Sequence, residues 1–167
     1  MTIAKFDQLP PEEKNELLGM CCSSSAWIKR MLAIFPVENL VDLLEYAEEE
    51  WYDCNPADWL EAFQNHIKIG DIETIENNVA KNADWVRDEQ SFIKNSSKAL
   101  LEELQNANVL YEDTYGYNYI VAAAGKSIGE ILENLLSRLE NDPHDELIIA
   151  SGEQNKITQQ RLQKLFV

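Results

Sequence analysis

Apolar residues recur along this chain at the spacing of one face of an α-helix. Leu40, Leu43, Leu44, Ala47 and Trp51 follow one another at i, i+3, i+4, i+7 and i+11, which places them on one side of a helix. No stretch alternates between apolar and polar residues for long enough to predict a sheet. The sequence therefore predicts an all-α fold, a single compact bundle of about seven to nine helices. We expect this bundle to be one domain over residues 1–167.

Capping residues predict where two of the middle helices begin. Asn55-Pro56 is suited to open a helix, which is expected to end near His66–Gly70. Asp84 is expected to cap a long helix that runs toward Tyr111. The segment from Tyr117 to Ala124 is apolar and partly β-branched, and we interpret it as a buried extended connection between helices.

Two further helices are predicted near the C-terminus. Ser127 and Glu130 have capping-box spacing and precede an apolar stripe. The stripe consists of Ile131, Leu132, Leu135, Leu136 and Leu139. Asp142-Pro143 is expected to start the last helix, which runs to Phe166 with a break near Gly152.

The formal net charge of -16 limits the partners that the chain can bind. Such a charge repels nucleic-acid phosphates and anionic membranes, so neither is an expected partner. It also repels anionic small molecules at long range. A site for an anionic small-molecule substrate therefore needs a local cation.

The N-terminal residues and the cysteines indicate in which cellular compartment the protein is expected. No apolar run approaches the roughly 18 residues that span a bilayer, and Met1 to Pro11 lacks the order of a signal peptide. The three cysteines, Cys21, Cys22 and Cys54, form an odd set with two adjacent members. This pattern favours free thiols in a reducing compartment, and we expect a cytoplasmic protein.

Four polar residues are candidates for chemistry, each with a simpler interpretation. His66 is expected at a helix end, where an imidazole can transfer protons, but its position alone favours a surface or capping histidine. Glu89 and Gln90 lie early in a predicted helix, where a carboxylate also stabilises the helix dipole. Arg161 can clamp a carboxylate or an imide, or form a surface ion pair.

Residue spacing excludes two other kinds of site, a phosphate-binding loop and a zinc site. Gly125-Lys126-Ser127 looks like the end of a phosphate-binding loop, but Ile120 stands where that loop requires its first glycine. The two histidines and three cysteines lack the spacing of a zinc site, so no metal is expected.

Six segments, read in order, resemble the 2-oxo-4-hydroxy-4-carboxy-5-ureidoimidazoline (OHCU) decarboxylases. No single segment is specific, but their order is, and together they cover nearly the whole chain. They are Cys21-Cys22-Ser23-Ser24-Ser25-Ala26-Trp27, Asp58–Phe63 with His66-Ile67-Lys68-Ile69-Gly70-Asp71, Trp85 with Glu89-Gln90, Tyr115-Gly116-Tyr117 with Tyr119–Ala123, Gly125-Lys126-Ser127, and Gly152–Thr158 with Arg161-Leu162.

The resemblance implies an all-α homodimer that needs no cofactor and converts OHCU to (S)-allantoin and carbon dioxide, the last step from urate to allantoin. His66 matches the family's catalytic histidine, taken as the general acid. Glu89 and Gln90 match residues that hydrogen-bond the substrate, and Arg161 matches an arginine that binds its anionic or carbonyl edge. The backbone of Tyr119, Ile120, Val121, Ala122 and Ala123 matches the segment that lines the pocket.

Two positions expected at the substrate depart from the family's pattern. Ile67 stands where the family usually has proline, and Val86 stands where it usually has serine. Ile67 releases a backbone constraint, and Val86 cannot donate a hydroxyl hydrogen bond. The leading hypothesis is an OHCU decarboxylase in which His66, Glu89 and Arg161 converge on one pocket. The alternatives are a paralogue for a related ureido or imidazolone compound and a non-catalytic helical interaction protein.

Overall fold

The computed structural model describes residues 1–69, 71, 88 and 97–166 of the chain. Within these ranges the regular secondary structure consists of α-helices, as the sequence predicts. The eight helices are α1 (Ile3–Asp7), α2 (Pro11–Cys21), α3 (Ser25–Ile34), α4 (Leu40–Tyr52), α5 (Pro56–Gln64), α6 (Lys98–Tyr115), α7 (Ile128–Arg138) and α8 (Pro143–Leu165).

Two compact units make up the chain. The first unit comprises Met1–Asn65 and Ser151–Val167, and the second comprises His66–Ala150. Helices α1 to α5 belong to the first unit, and α6 and α7 belong to the second. The expectation of a single domain over residues 1–167 stays a prediction.

The first unit is built around large aromatic side chains that α2 to α5 and the end of the chain bury. Trp27 and Trp51 are almost completely buried, yet their indole nitrogens are satisfied. Trp27 Nε1 donates to the carbonyl of Ala47 at 3.0 Å, and Trp51 Nε1 donates to the carbonyl of Ser151 at 2.9 Å. These bonds let the core hold polar rings without an unsatisfied donor.

The second unit packs α6 against α7, and its core is one cluster of apolar and tyrosine side chains. Leu104, Ile131 and Leu135 are fully buried there. The predicted connection from Tyr117 to Ala124 carries no helix or strand, and it buries residues 119–123 beside these helices. The prediction of a buried connection is therefore confirmed.

Helix starts follow the capping rules. Pro56 is the first residue of α5, and the backbone N–H of Asn55 donates to the Asp58 carboxylate at 2.9 Å. At α7, the Ser127 hydroxyl accepts from the backbone of Glu130 while the Glu130 carboxylate accepts from the backbone of Ser127. Both predicted starts, and the start of α8 at Pro143, are confirmed.

Four details of the helix prediction are wrong. Helix α5 ends at Gln64, before the predicted stop, because the backbone N–H of Asn65 already turns back to Ala62 and Phe63. The long helix predicted from Asp84, which lies outside the described residues, does not continue through Ser97. Ser97 has extended backbone angles and caps α6 through its side chain, and α6 passes Tyr111 and ends at Tyr115.

The other two errors concern α7 and α8. Leu136 of the predicted apolar stripe is 49% exposed, whereas Arg138 is buried at 3%. Helix α8 runs through Gly152 without the predicted break. A Cβ built at Gly152 would lie 3.8 Å from the Tyr52 hydroxyl, which is ordinary contact, so neither a turn nor tight packing requires glycine at this position.

Candidate active site

His66 lies just beyond α5, in the segment 66–69 of the second unit. The sequence predicted His66 at the end of a helix. Because α5 ends at Gln64 with Asn65 as its C-cap, His66 lies outside the helix. His66 is half-buried, and Asn118 Nδ2 donates to its backbone carbonyl at 3.3 Å. Asn118 immediately precedes the buried residues 119–123. The histidine segment and the predicted pocket-lining connection therefore touch directly.

Helix α6 fixes the far end of the histidine segment. Buried Asn108 donates from Nδ2 to the carbonyl of Ile69 at 2.9 Å and to the carbonyl of Leu104 at 3.1 Å. Lys68 forms an ion pair with Glu112 one turn further along α6. The segment that carries His66 is thus held by hydrogen bonds at both ends, which limits the positions its side chain can reach.

Two glycines with left-handed backbones flank the connection. Gly116 has φ of 81° and ends α6, donating from its N–H to the Glu112 carbonyl at 2.7 Å. Gly125 has φ of 77° and lies in the turn before α7. Such φ values favour glycine, because a Cβ would strain them.

Between the two glycines, the side chains and backbone of the predicted pocket lining are buried. Their exposed fractions run from 2% to 7%, in Tyr119, Ile120, Val121, Ala122 and Ala123. Since the connection lacks a helical or strand ladder, its backbone groups need other partners. One such partner, for the carbonyl of Ile120, is a buried arginine.

A buried ionic network holds one of these backbone groups. Arg138 Nη1 donates to the carbonyl of Ile120 at 2.7 Å, and Arg138 Nε donates to Glu146 at 2.7 Å. The Tyr111 hydroxyl also donates to Glu146. Burial alone would lower the pKa of Arg138, but the hydrogen bond to Glu146 and that carboxylate's charge raise it above its ordinary value. Arg138 therefore stays charged.

Arg161 lies on the part of α8 that belongs to the first unit. It is half-buried, and its Nη1 donates to the carbonyl of Met20 at 3.2 Å. Its charge acts on buried Cys22, whose pKa burial raises to about 12, while hydrogen bonds from the Ser24 backbone and Thr158 and the Arg161 charge oppose the shift. The expected role of Arg161 as the local cation for an anionic ligand stays a prediction.

The structure places the predicted site residues as follows. His66, Ile67 and residues 119–123 lie in the second unit, and Arg161 lies in the first. Val86, Glu89 and Gln90 lie outside the described residues. The expected convergence of His66, Glu89 and Arg161 therefore stays a prediction.

The sequence analysis missed four residues that hold the histidine segment and the connection of the second unit: Asn108, Asn118, Arg138 and Glu146. Two carried a readable signal. Arg138 lies three residues after Leu135 on the apolar stripe of α7, and Asn108 lies four residues after Leu104 on the buried face of α6. A polar residue on a buried face requires a partner, and that requirement marks it for attention.

The described residues hold neither a metal-binding group nor a membrane-spanning helix. Among these residues, histidine, cysteine, aspartate and glutamate side chains form no group of three that could hold a metal ion. No described helix is long and apolar enough to cross a membrane.

The fold and the site define an all-helical protein with a half-buried histidine held beside an irregular, buried connection. The OHCU decarboxylase family model matches residues 7–163. The chain therefore belongs to the OHCU decarboxylase family.

Individual proteins and structures agree with this assignment. The chain is 36% identical over 88% of its length to the uric acid degradation bifunctional protein TTL of Arabidopsis thaliana. It is 24% identical over its full length to 2-oxo-4-hydroxy-4-carboxy-5-ureidoimidazoline decarboxylase of Halalkalicoccus jeotgali. It spans only 45% of the Arabidopsis protein but 93% of the Halalkalicoccus protein.

Among solved structures, the chain resembles an OHCU decarboxylase crystallised in the presence of (S)-allantoin. The identity is 35%, the TM-score is 0.77, and the match covers 91% of this chain and 97% of that one. The all-α fold is therefore that of a solved OHCU decarboxylase.

Proposed function

We propose that the chain decarboxylates OHCU to (S)-allantoin and carbon dioxide, the final step in converting urate to allantoin. The observation that carries this proposal is the match to the solved OHCU decarboxylase over 97% of that chain at 35% identity. The family model supports it over residues 7–163. The segments carrying His66, residues 119–123 and Arg161 all lie within the matched range.

The residue types suit this reaction. The bond to the carboxylate carbon breaks, carbon dioxide leaves, and the electron pair enters the imidazoline ring. Fixed donors then stabilise the charge without a cofactor, a role for backbone amides of residues 119–123 and for the Arg161 guanidinium. His66 delivers a proton to one face of the ring carbon, which sets the S configuration. Glu89 and Gln90 are proposed to hydrogen-bond the ureido group.

The direct test is turnover of freshly generated OHCU, followed by circular dichroism of the chiral product. We expect growth of the (S)-allantoin signal well above the spontaneous racemic background. Folded protein that does not accelerate the reaction would reject the proposed substrate. It would favour a related ureido or imidazolone compound, for which Ile67 and Val86 are the residues that differ from the family's pattern.

The two histidines of the chain provide a matched pair of variants. His66→Ala should lower kcat by about 10² to 10⁴, because a positioned acid contributes that much. His144→Ala should leave the rate unchanged, since His144 is exposed at the start of α8. An intact rate in His66→Ala would remove the proton-transfer role.

The finer assembly and location are part of the same proposal. We infer a homodimer, supported by the family resemblance and by exposed apolar side chains of the second unit such as Val109 and Leu110, at 59% and 55%. We infer a cytoplasmic location, supported by an odd number of cysteines of which two are adjacent, a pattern that favours a reducing compartment. Light scattering on the purified protein checks the first inference, and a monomer mass at micromolar concentration would reject it.

A further inference from the structure

Arg138 is a charged residue on the buried face of α7. It is 3% exposed, and it lies in register with Ile131 and Leu135, which are fully buried. Burying a guanidinium is costly unless its donors are bonded and its charge is paired. Its contacts therefore show what the buried charge is used for.

The guanidinium joins α8 to the connection. Nε donates to Glu146 at 2.7 Å, and Nη1 donates to the carbonyl of Ile120 at 2.7 Å. The guanidinium carbon also lies 4.7 Å from the centre of the Tyr119 ring. One planar group thus contacts two successive residues of the connection, with its orientation set by a carboxylate on a helix.

Neighbouring groups fix the same contacts from other sides. The Tyr119 hydroxyl donates to Asn134 Oδ1 at 2.6 Å on α7. Asn141 Nδ2 donates to the second oxygen of Glu146 at 2.9 Å. The Glu146 carboxylate is therefore bonded at both oxygens, and it holds the arginine in one orientation.

We propose that Arg138 is a positioning residue that sets the backbone of residues 119–123 for the substrate. This inference rests on the proposed function, in which that backbone lines the pocket. The negative charge of Glu146 balances Arg138, so Arg138 acts through the position of the Ile120 peptide rather than through its own charge. A purely stabilising ion pair would need only the contact with Glu146, whereas the bond to Ile120 and the ring contact with Tyr119 join it to the connection.

The variant Arg138→Lys separates the two roles. Lysine keeps a positive charge for Glu146 but lacks the planar fork that bonds Glu146 and Ile120 together. The matched control is Tyr115→Phe. It removes hydroxyl bonds to the carbonyls of Arg138 and Asn141, at 2.7 and 2.8 Å, and leaves the guanidinium contacts in place.

Two readouts are measured on the full chain after circular dichroism has verified its helical content. The first is amide hydrogen exchange of residues 119–123, which needs no substrate. The second is kcat, KM and enantiomeric excess with OHCU. For Arg138→Lys we expect exchange on the order of 10-fold faster at these residues. We expect a fall in kcat of roughly 10- to 100-fold, because a misplacement of about 1 Å can cost that much. Tyr115→Phe should change neither.

The outcomes distinguish the two proposals. Unchanged exchange in Arg138→Lys, or faster exchange with unchanged kcat and enantiomeric excess, overturns the positioning role. A wild-type protein that does not turn over OHCU rejects the proposed function instead, and the exchange data then decide alone whether Arg138 holds the connection. If Arg138→Lys does not fold, Asn141→Ala replaces it, because it removes the bond to the second oxygen of Glu146 that helps to hold the arginine in one orientation. Unchanged exchange in that variant also overturns the proposal.

Discussion

At the scale of single residues, Asn108 binds two backbone carbonyls at once. Its Nδ2 donates to Ile69 and to Leu104, and the side chain is buried. Asn108→Ala leaves the Ile69 carbonyl without this donor, and an unsatisfied buried group costs about 1–3 kcal/mol. We expect urea unfolding to show a loss of that size. We also expect a lower kcat, because the segment that carries His66 loosens.

Asn106 offers the matched control on the same helix. It is exposed, so Asn106→Ala should change the free energy of unfolding by less than about 0.5 kcal/mol. Equal losses in the two variants would show that the amide of Asn108 does not anchor the histidine segment.

The bonding partners of these buried polar residues could not be predicted from the sequence. The sequence shows Arg138 as a charge on the apolar stripe of α7, but two of its acceptors, Ile120 and Glu146, lie 18 residues before it and 8 residues after it. Asn108 reaches a carbonyl 39 residues away. Local periodicity predicts that a side chain is buried. Only the packing of distant segments decides which group it bonds.

At the scale of helices, boundaries set by side-chain caps could be predicted, and boundaries set by competition between segments could not. The starts of α5 and α7 follow from Asn55-Pro56 and from Ser127 with Glu130. The end of α5 and the start of α6 were misplaced. In each case more than one residue offers a cap or a stop, and tertiary packing selects among them. In α8, Gly152 suggested a break because glycine is a weak helix former, but the helix continues through it.

The end of α6 gives an element-scale prediction. Gly116 has φ of 81°, and nothing lies within 4 Å of a Cβ built there, so only backbone strain opposes a larger residue. Gly116→Ala should destabilise the protein by about 1–2 kcal/mol, the cost of the left-handed conformation. Thermal or urea unfolding measures it.

Gly129 provides the opposite case. It lies in α7, and a Cβ there meets only the Ser127 hydroxyl at 3.9 Å, which is ordinary contact. Gly129→Ala should leave stability equal or raise it by up to about 1 kcal/mol, because alanine is the better helix former. If both variants lost the same stability, the argument from φ at Gly116 would be wrong.

At the scale of the whole molecule, a strongly acidic surface encloses groups that the fold keeps neutral. The net charge is -16, yet burial raises the pKa of Cys22 to about 12 and that of Cys54 to about 11. Burial and the bond to Glu146 also raise the pKa of Tyr111. The folded state therefore holds protons at alkaline pH that the unfolded chain releases.

The sign of the effect follows from this difference. An unfolded thiol loses its proton near pH 9, whereas these folded thiols keep theirs until about pH 11 or 12. Stability is thus fully present below pH 9 and falls as the pH rises above it, by at most about 1.4 kcal/mol per pH unit for each thiol. Urea unfolding at several values between pH 8 and pH 11 measures the slope. Cys22→Ala should unfold more easily at every pH. Its free energy of unfolding should fall less steeply between pH 9 and pH 11, because one of the two thiols that titrate differently on unfolding is gone. A slope identical to that of the wild type would mean that Cys22 ionises as easily in the folded protein as in the unfolded chain.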